Sequence, residues 1–439
     1  MTGISRQTRA LNGVGLKQES IHDRPTRRTR GEAIDSPRSL TTEVVRELAG
    51  LSGLRDTWEA MSLDVNSDIE FYTTIVLSRG NRQDPHTEAR ELSGAVLRPH
   101  VIAVKRNGEV RSILAGRLEL KHLDVALGYK TLYLPAVRCL TLIHGGLMGE
   151  ESEECGAALL ESIRMSLRDG EADTVWFYGL NIDSSFHRAA REAGGIFTRD
   201  HFPKPLQRWS VQLPSSYEDL YRGLSRTTRR HLKQHSQHLC EAFADSLTIK
   251  RYKSLHDLEW VLEDIEAVAA RTYQRGLNVG FICNRETREW MSLAARRGWL
   301  EAHLLYIDGK PCAFWNGLLY KRTLFLSSTG YDPRFGMYSP GSYLLQRLLQ
   351  DICSEKSADK VDFGFGNARY KQEWGTEEQA QSSFFLFAPT LKGASFSCLR
   401  TPMTALANGL RAFASASGLA EGLKRAWRHR IVQERTGGD

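Results

Sequence analysis

Apolar residues recur at helical spacing in several separate stretches of the chain, and shorter apolar runs between them predict strands. The spacing predicts helices at 152–168, 185–193, 217–240, 255–275, 286–297 and 342–353. Strands are predicted at 101–104, 112–118, 132–134, 174–178, 302–307, 311–319, 323–328, 361–363 and 384–387. A short helical pattern is also expected from Glu43 to Leu51. This alternation of helices and strands is typical of an α/β fold.

The order of elements occurs twice along the chain. Gly-Ala-Ala-Leu-Leu-Glu-Ser-Ile at 156–163 lines up with Gly-Ser-Tyr-Leu-Leu-Gln-Arg-Leu at 341–348, an offset of 185 residues. The Asp-x-Val strand openings at Asp173 and Asp359 are offset by 186 residues. The turn signals at 107–108 and 308–309 are 201 residues apart, which places an insertion in the first copy at 121–130. These matches favour two tandem α/β domains over chance similarity, at 41–212 and 213–390.

The two ends of the 439-residue chain differ in composition from its body. The net charge of +7 resolves into +4 at 1–40, +5 at 391–439 and −2 between them, which disfavours a uniformly basic nucleic-acid-binding domain. Residues 1–40 lack periodicity and are predicted to form a disordered basic arm. The basic tail at 391–439 has a helical pattern. It either docks on the protein body or makes peripheral contact with an anionic membrane surface.

Cysteine and histidine spacing gives no support for a metal site. The seven cysteines are scattered and form no C-x-x-C, so neither a disulfide framework nor a zinc knuckle is expected. His231, His235 and His238 share one helix face, but without a nearby carboxylate or cysteine we interpret them as part of a solvated basic face. Because no apolar run approaches the ~18 residues of a membrane span, we expect a cytoplasmic protein.

The segment 323–353 has the composition of an anion-binding loop between a strand and a helix. Its loop reads Phe-Gly-Met-Tyr-Ser-Pro-Gly-Ser at 335–342. The first N–H groups of a helix favour a phosphate, and Gly336 and Gly341 allow its close approach. Ser339 or Ser342 offers a hydroxyl. The alternative is an ordinary helix start with Ser339 as N-cap and Pro340 at the first position.

A second candidate segment follows at 362–375. Asp362 lies in a predicted buried strand, followed by two glycines, and ligands gather at such strand ends in α/β sheets. Tyr370, Lys371 and Glu373 then supply a phenol, an amine and a carboxylate that suit acid–base chemistry. The alternative is that Asp362 caps a turn while Tyr370 and Trp374 pack in the core.

Several motifs in order resemble the GNAT acetyltransferase branch associated with cellulose and exopolysaccharide biosynthesis, which is similar to the tandem-GNAT Fem transferases. The resemblance covers 224–375 clearly and 43–212 more weakly, as a degenerate first copy. The motifs are Ser-Arg-Thr-Thr-Arg-Arg at 225–230, Arg-Thr-Tyr at 271–273, Gly-Tyr-Asp-Pro at 330–333, Tyr-Ser-Pro-Gly at 338–341, Leu-Leu at 344–345, Asp-Phe-Gly-Phe-Gly at 362–366, and Tyr-Lys at 370–371 with Trp374.

The resemblance implies two tandem GNAT-like domains, each a mixed central sheet flanked by helices, with acetyl-CoA or another acyl-CoA as co-substrate and no metal. By position, the pyrophosphate loop consists of Met337, Tyr338, Ser339, Gly341 and Ser342. This loop departs from the usual GNAT pattern because it contains proline and lacks a leading Arg or Gln. The first copy carries four glutamates before its helix, which would repel a pyrophosphate, so we expect it to be non-catalytic and to shape the acceptor cleft.

The implied reaction is direct acyl transfer to an amine of a sugar, amino acid or related metabolite, in exopolysaccharide or cell-envelope biosynthesis. Asp332 or Asp362 is the expected base or acceptor-binding carboxylate, Tyr370 the acid, and Lys371 an electrostatic contact. Two alternatives stay open. One is a Fem-like transferase that uses aminoacyl-tRNA, for which the basic helix at 225–240 would matter. The other is a non-catalytic GNAT-like partner in a polysaccharide-synthesis complex.

Overall fold

A mixed sheet of twelve strands runs through the protein in the order β1-β2-β3-β4-β5-β12-β6-β11-β10-β9-β8-β7. The computed structural model describes residues 40–80, 94–127, 130–276 and 280–416. The predicted basic arm therefore lies, apart from Leu40, outside the described residues, as does the part of the predicted tail after Ala416. The predicted α/β class with a mixed sheet and flanking helices is confirmed.

The described elements have the following bounds. The strands are β1 Leu40–Val45, β2 Ala95–Arg106, β3 Glu109–Leu127, β4 Lys130–Gly149, β5 Thr174–Asn181, β6 Lys204–Gln212, β7 Leu247–Tyr252, β8 Leu300–Ile307, β9 Lys310–Tyr320, β10 Thr323–Tyr331, β11 Lys360–Phe365 and β12 Glu377–Phe387. The α-helices are α1 Arg55–Met61, α2 Ile69–Gly80, α3 Glu153–Arg168, α4 Ser185–Glu192, α5 Tyr217–Gly223, α6 Arg226–Phe243, α7 Leu258–Ala269, α8 Tyr273–Gly276, α9 Arg285–Arg296, α10 Pro340–Glu355, α11 Arg369–Trp374 and α12 Leu391–Ala416. Short 3₁₀ helices occupy Leu48–Leu54, Val65–Ser67 and Pro333–Tyr338.

Each half of the chain contains one parallel strand pair that separates after a few residues. In the first half, β4 and β5 pair from Cys139–Thr174 to Leu142–Phe177. In the second half, β10 and β11 pair from Thr323–Lys360 to Phe325–Asp362. Each first strand of a pair leads into a long helix, α3 or α10, so the repeat read from the sequence corresponds to a repeated structural unit. The predicted insertion at 121–130 extends the β3–β4 hairpin.

The two halves exchange a strand. Strand β6 follows the first repeat in sequence but pairs with β11 of the second repeat. Strand β12 follows the second repeat but pairs with β5 of the first, and it also pairs with β6. The exchange joins both halves into one continuous sheet. The boundary between domains at 212 and 213 stays a prediction.

Helices cover both faces of the sheet. On one face, α7 and α9 bury Val261, Ile265 and Met291 against β8–β10, and α2 contributes Phe71 and Ile75 to the same core. On the opposite face, the core combines α10 and α6 with the strands; it includes Leu344, Leu348, Val361, Phe363 and Trp374. The first half has the same arrangement, with α1 and α2 on one face and α3 and α4 on the other.

Most predicted helices are found with small shifts in their bounds, and the differences have local causes. The predicted helix 217–240 is two helices, because the Ser225 side chain accepts a hydrogen bond from the Thr228 amide and starts α6 anew. The helix expected from Glu43 is wrong: its first residues form β1, which pairs with β2, and a 3₁₀ helix follows. The apolar residues of that stretch alternate too briefly to distinguish a strand from a helix.

We predict that Gly317→Ala destabilises the fold. A Cβ at this position in β9 would lie 2.6 Å from the Phe325 carbonyl oxygen, and backbone cannot move aside easily. Overpacking of this kind costs about 1–3 kcal/mol of unfolding free energy, measurable by urea denaturation. The control is Gly409→Ala in α12, where a Cβ meets nothing within 4 Å. There the substitution should be neutral or stabilising. Equal stability of the two variants would contradict the prediction.

The exchanged strand predicts how fragments behave. Fragment 213–390 lacks β6, which leaves one edge of β11 without its partner. Fragment 203–390 restores that partner, so we expect it to unfold with the larger free energy and to aggregate less, because unpaired strand edges promote association. Denaturation curves and size-exclusion chromatography of the two fragments check this. Indistinguishable behaviour would show that β6 is not required.

Candidate active site

A pocket of about 370 Å³ lies over the centre of the sheet, beneath helices from both halves. Helices α2 and α9 meet above it, where Arg79 Nε and Nη2 each donate to a carboxylate oxygen of Glu286 at 2.8 Å. The pocket is lined by Val65, Asn66, Phe71, Tyr72, Ile75, Arg79, Arg117, Thr141, Leu142, Ile143, His144, Tyr178, Arg208, Glu286, Trp290, Leu318, Phe325, Leu326, Ser327, Asp362, Gly364 and Phe365. Its walls therefore combine aromatic surface with buried charges, a combination typical of small-molecule sites.

Arg208 of β6 connects three distant segments at this pocket. Its Nη2 donates to Asp64 Oδ2 at 2.8 Å, and its Nε forms an ion pair with Asp362 Oδ2 at 2.7 Å. Its Nη1 donates to Nε2 of His144. Because an arginine only donates, Nε2 of His144 is the acceptor, and the neutral ring carries its hydrogen on Nδ1. One side chain of the exchanged strand thus holds residues of both halves together.

Burial controls the protonation of these groups. Desolvation raises the pKa of Asp362 above its ordinary value, although Arg208 opposes the shift. Desolvation also lowers the pKa of His144 to about 4, so the ring is neutral near pH 7. Asp362 lies where β10 and β11 stop pairing, and Gly364 N–H donates to its Oδ1 at 2.7 Å. A carboxylate with a raised pKa, held at a strand end against a pocket, is suited to accept a proton.

Lys371 and Tyr370 lie on α11, which packs against the opposite face of the sheet through Trp374. The Lys371 ammonium is buried and donates to the Phe365 carbonyl oxygen at 2.6 Å. Its burial lowers its pKa to about 8. The ring of Tyr370 packs edge-on against Trp315 at 5.0 Å between centroids. The end of β11 therefore has a carboxylate toward the pocket, a phenol packed in the core of the opposite face, and a buried amine on which the Asp362 charge acts.

The predicted pyrophosphate loop forms a 3₁₀ helix that leads into α10. Met337 is 66% exposed, and Tyr338 packs against His238 of α6 at 4.7 Å between ring centroids. Ser339 has a φ of 50° and makes no capping hydrogen bond through its side chain. Pro340 is at the first position of α10, as the alternative of an ordinary helix start predicts, while Ser342 N–H donates to the Ser339 carbonyl oxygen at 3.1 Å.

Among the residues that the structure describes, no neighbour requires glycine at the two loop positions. A Cβ at Gly336 or Gly341 would make an ordinary contact of 3.6 Å with the ring of Tyr331, and neither residue has a positive φ. The carbonyl oxygen of Gly341 accepts from Trp315 Nε1 at 2.9 Å, which fixes the backbone. Glycine at both positions leaves the outer surface of the loop open to a ligand, so the residues present fit a phosphate-bearing group.

Asp332 is placed apart from the central pocket. Its carboxylate begins the 3₁₀ helix by accepting from Arg334 N–H at 3.0 Å, and Arg334 Nη2 donates to it at 2.6 Å. Burial alone would raise the pKa of Asp332, but the hydrogen bonds from Arg334 hold it below its ordinary value. Among the predicted residues, Asp362, Tyr370 and Lys371 surround one strand end, the loop residues flank the start of α10, and Asp332 orders the loop.

The residues that the first half contributes to the pocket were not predicted from the sequence. Asp64, Arg79, Arg117 and His144 all line or support the pocket, and Arg208 lies in a stretch for which no element was predicted. The double glycine after His144 was the one available signal: a Cβ at Gly145 would lie 2.5 Å from the Cβ of Asp64. The negative charge of the glutamates before and in the first turn of α3 is partly neutralised, since Arg106 forms ion pairs with Glu150 and Glu154.

Two kinds of site are absent from the residues that the structure describes. These residues contain no group of three or more His, Cys, Asp or Glu arranged to hold a metal ion. Among the three histidines of α6, His231 and His235 lie 6.5 Å apart between ring centroids, and His238 packs on Tyr338. His231 Nδ1 also lies 3.2 Å from Arg369 Nη2. Within the same described ranges, every helix is too short or too polar to cross a membrane.

Comparisons with known proteins identify the second half of the chain. Residues 226–372, about one third of the chain, match the family model described as an acetyltransferase (GNAT) domain. No curated protein matches the sequence.

Solved structures with similar folds include FemX (12% identity, TM-score 0.45, covering 72% of this chain and 95% of that one). A tandem GNAT protein from the clavulanic acid biosynthesis pathway has 11% identity and a TM-score of 0.44, and the match covers 80% of this chain and 99% of that one. The C-terminal domain of a putative lysylphosphatidylglycerol synthetase from Agrobacterium fabrum has 11% identity and a TM-score of 0.41, and the match covers 66% of this chain and 84% of that one. The narrower assignment to the exopolysaccharide-associated branch stays a prediction. The match of residues 226–372 to a GNAT acetyltransferase domain supports an acyltransferase activity for this part of the chain.

Proposed function

We propose that the protein is an acyl-CoA-dependent N-acyltransferase that modifies a small amine held in the central pocket. The observation that carries the proposal is the position of Asp362. It is buried where the parallel strands β10 and β11 separate, it faces the pocket, and its pKa is raised by desolvation. A general base must reach the proton that it removes and must have a pKa nearer the working pH than an exposed carboxylate has.

The loop before α10 supports acyl-CoA as the donor. Met337, Tyr338, Ser339, Gly341 and Ser342 would hold the pyrophosphate, since the helix N-terminus favours an anion and the two loop glycines leave room for it. Acyl-CoA would supply the acyl group already activated as a thioester. The strand end at Asp362 and the start of α10 belong to one repeat unit. The matched domain would therefore both bind the acyl donor and carry the general base.

Asp362 and Arg208 would act as a pair. The carboxylate accepts the proton of the acceptor amine, and the 2.7 Å ion pair with Arg208 Nε keeps the carboxylate ionised and oriented. Arg208 is held in turn by Asp64 at 2.8 Å. Asp332, in contrast, has a lowered pKa because the backbone and the side chain of Arg334 donate hydrogen bonds to its carboxylate, which makes it a weaker base. We therefore assign Asp362 as the base and Asp332 as a loop-ordering residue.

Lys371 and Tyr370 would serve the opposite side of the strand end. Below pH 8 the ammonium of Lys371 is charged, and its burial makes that charge effective toward negative charge that develops nearby. The phenol of Tyr370 is the candidate proton donor to the leaving group. The separation of base and acid on two faces of β11 suits a reaction in which acceptor and leaving group lie on opposite sides of the acyl carbon.

The acceptor is proposed as an amine of a sugar, amino acid or related metabolite. Its place in exopolysaccharide or cell-envelope biosynthesis rests on the sequence resemblance alone. A non-catalytic role in a polysaccharide-synthesis complex is the opposite proposal, and absence of any acetyl-CoA binding would favour it. Contact of the C-terminal tail with a membrane also stays a prediction; Leu406, Leu410 and Phe413 of α12 are exposed.

One observation favours a second candidate, an aminoacyl-tRNA-dependent transferase. Helix α6 packs against the proposed pyrophosphate loop through Phe243 and His238, and its exposed side carries Arg226, Arg230 and Lys233. A basic surface beside the donor site is suited to a polyanion. Binding of aminoacyl-tRNA that weakens steeply with salt, together with no binding of acetyl-CoA, would favour this candidate over the first.

We predict that Asp362→Asn lowers kcat/KM for acyl transfer by about 100-fold or more, because general bases contribute on the order of 10²–10⁴ to the rate. The measurement is release of the CoA thiol in the presence of an amine acceptor, with acetyl-CoA affinity measured separately by calorimetry. The matched control is Asp359→Asn, an exposed carboxylate just before the same strand, paired with Arg322. If both variants retain full kcat/KM, Asp362 is not the base.

We predict a fall in kcat as the pH rises through about 8. The charged form of Lys371 predominates below its pKa of about 8 and is lost above it, so a reaction that needs the ammonium slows in alkaline solution. In Lys371→Met, kcat should be low at every pH and this alkaline limb should disappear. The control Lys310→Met removes an exposed ammonium from β9. Persistence of the limb in Lys371→Met would rule out Lys371 as its source.

A further inference from the structure

The central pocket contains three arginines, and their surroundings differ. Both Nε and Nη2 of Arg79 donate to Glu286, and the guanidinium of Arg208 contacts Asp64, His144 and Asp362. These two cations are compensated by carboxylates, and the pKa of each is raised despite burial.

Arg117 of β3 is the exception. Its Nε donates to Glu119 Oε2 at 3.4 Å, and none of the hydrogen bonds found among the described residues involves its Nη atoms. Glu119 is only 3.7 Å from Arg79 Nη1 as well, so one carboxylate serves two cations. The side chain of Arg117 is 13% exposed and lines the pocket. Burial and the neighbouring Arg79 charge lower its pKa.

An anion in the pocket would compensate Arg117. A guanidinium with both Nη atoms uncommitted presents a planar fork that matches the two oxygens of a carboxylate. The wall beside it is apolar and aromatic, with Phe71, Tyr72 and Ile75 from α2, so the contact would form with little competition from water. Such charge-assisted hydrogen bonds contribute more than neutral ones.

The positions of Arg117 and the proposed base constrain the ligand. Strands β3 and β11 are separated in the sheet by β4, β5, β12 and β6. Across the pocket, however, the ring of His144 on β4 lies 4.9 Å from the ring of Phe365 on β11, and Arg117 and Asp362 line the same cavity of about 370 Å³. A ligand that contacts both has its amine at Asp362 and its anionic group at Arg117.

We propose that the acceptor is a small amine with a carboxylate at its distal end, and that Arg117 of the first half binds this carboxylate while Asp362 of the second half receives the amine. The inference rests on the proposed acyl transfer and adds the substrate class. It also gives the first half a defined task, the recognition of the acceptor's acidic end. Arg117 is then a binding and specificity residue and takes no part in proton transfer.

The test uses three acceptors of matched length: 6-aminohexanoate, its neutral amide 6-aminohexanamide, and hexylamine. With acetyl-CoA as donor, thiol release by the unmodified protein should show kcat/KM for 6-aminohexanoate about 10- to 100-fold above the other two, mainly through KM. Arg117→Gln should reduce this preference to less than 3-fold, mainly through a higher KM for 6-aminohexanoate. Arg117→Lys, which keeps the charge without the fork, should give an intermediate preference.

Arg111→Gln is the matched control, since Arg111 lies on the same strand, pairs with Glu109 and is absent from the pocket lining. It should keep the full preference, and thermal unfolding of all variants shows whether each is folded. Calorimetric binding of 6-aminohexanoate supplies a readout that is independent of turnover. Arg117-dependent binding without transfer to any amine would support the inference and overturn the proposed function. Transfer to all three acceptors at equal kcat/KM, or a preference that survives Arg117→Gln, would overturn the inference and leave the proposed function standing.

Discussion

The guanidinium of Arg208 is the interaction on which the architecture of the site depends. It extends from an exchanged strand and contacts Asp64 and His144 of the first half together with Asp362 of the second. All of these groups are largely removed from water, and breaking a buried ion pair by removing one partner typically costs about 3–5 kcal/mol. The cluster therefore fixes the relative positions of the side chains that line the pocket.

The two repeats have different proposed roles because their strand ends and helix starts carry different residues. In the second repeat, the strand end carries Asp362 and the helix start is a glycine-containing loop without acidic residues in the first turn. In the first repeat, the corresponding helix α3 begins with Glu153 and Glu154, capped by Ser152. The helix start of the second repeat thus favours an anion, whereas that of the first repeat repels one. The first copy is free to contribute side chains to the wall of the pocket.

Much of the fold could be predicted from the sequence, because amphipathic helices such as α3, α9 and α10 have strong periodicity and because α3 and α9 have clear N-caps. The strand end at Asp362 and the loop at 337–342 were also readable, since glycine placement and residue order reveal them. The strand exchange was not, because pairing partners are chosen by tertiary packing and β6 has no distinctive pattern. For the same reason Arg117 and Arg208 could not be assigned to the site. Their importance comes from what surrounds them in space, and local sequence records none of it.

The interleaved order of β5, β12, β6 and β11 has a consequence for synthesis on the ribosome. The first repeat is translated long before β12, the strand that completes its sheet, and β12 ends only at Phe387. Until then β5 keeps an open edge, and long-range strand pairing is slow because loop closure must precede it. The nascent first half therefore stays an unfinished, association-prone intermediate while the 206 residues between the end of β5 at Asn181 and the end of β12 at Phe387 are synthesised. Slower translation of this stretch lengthens the exposure of the edge.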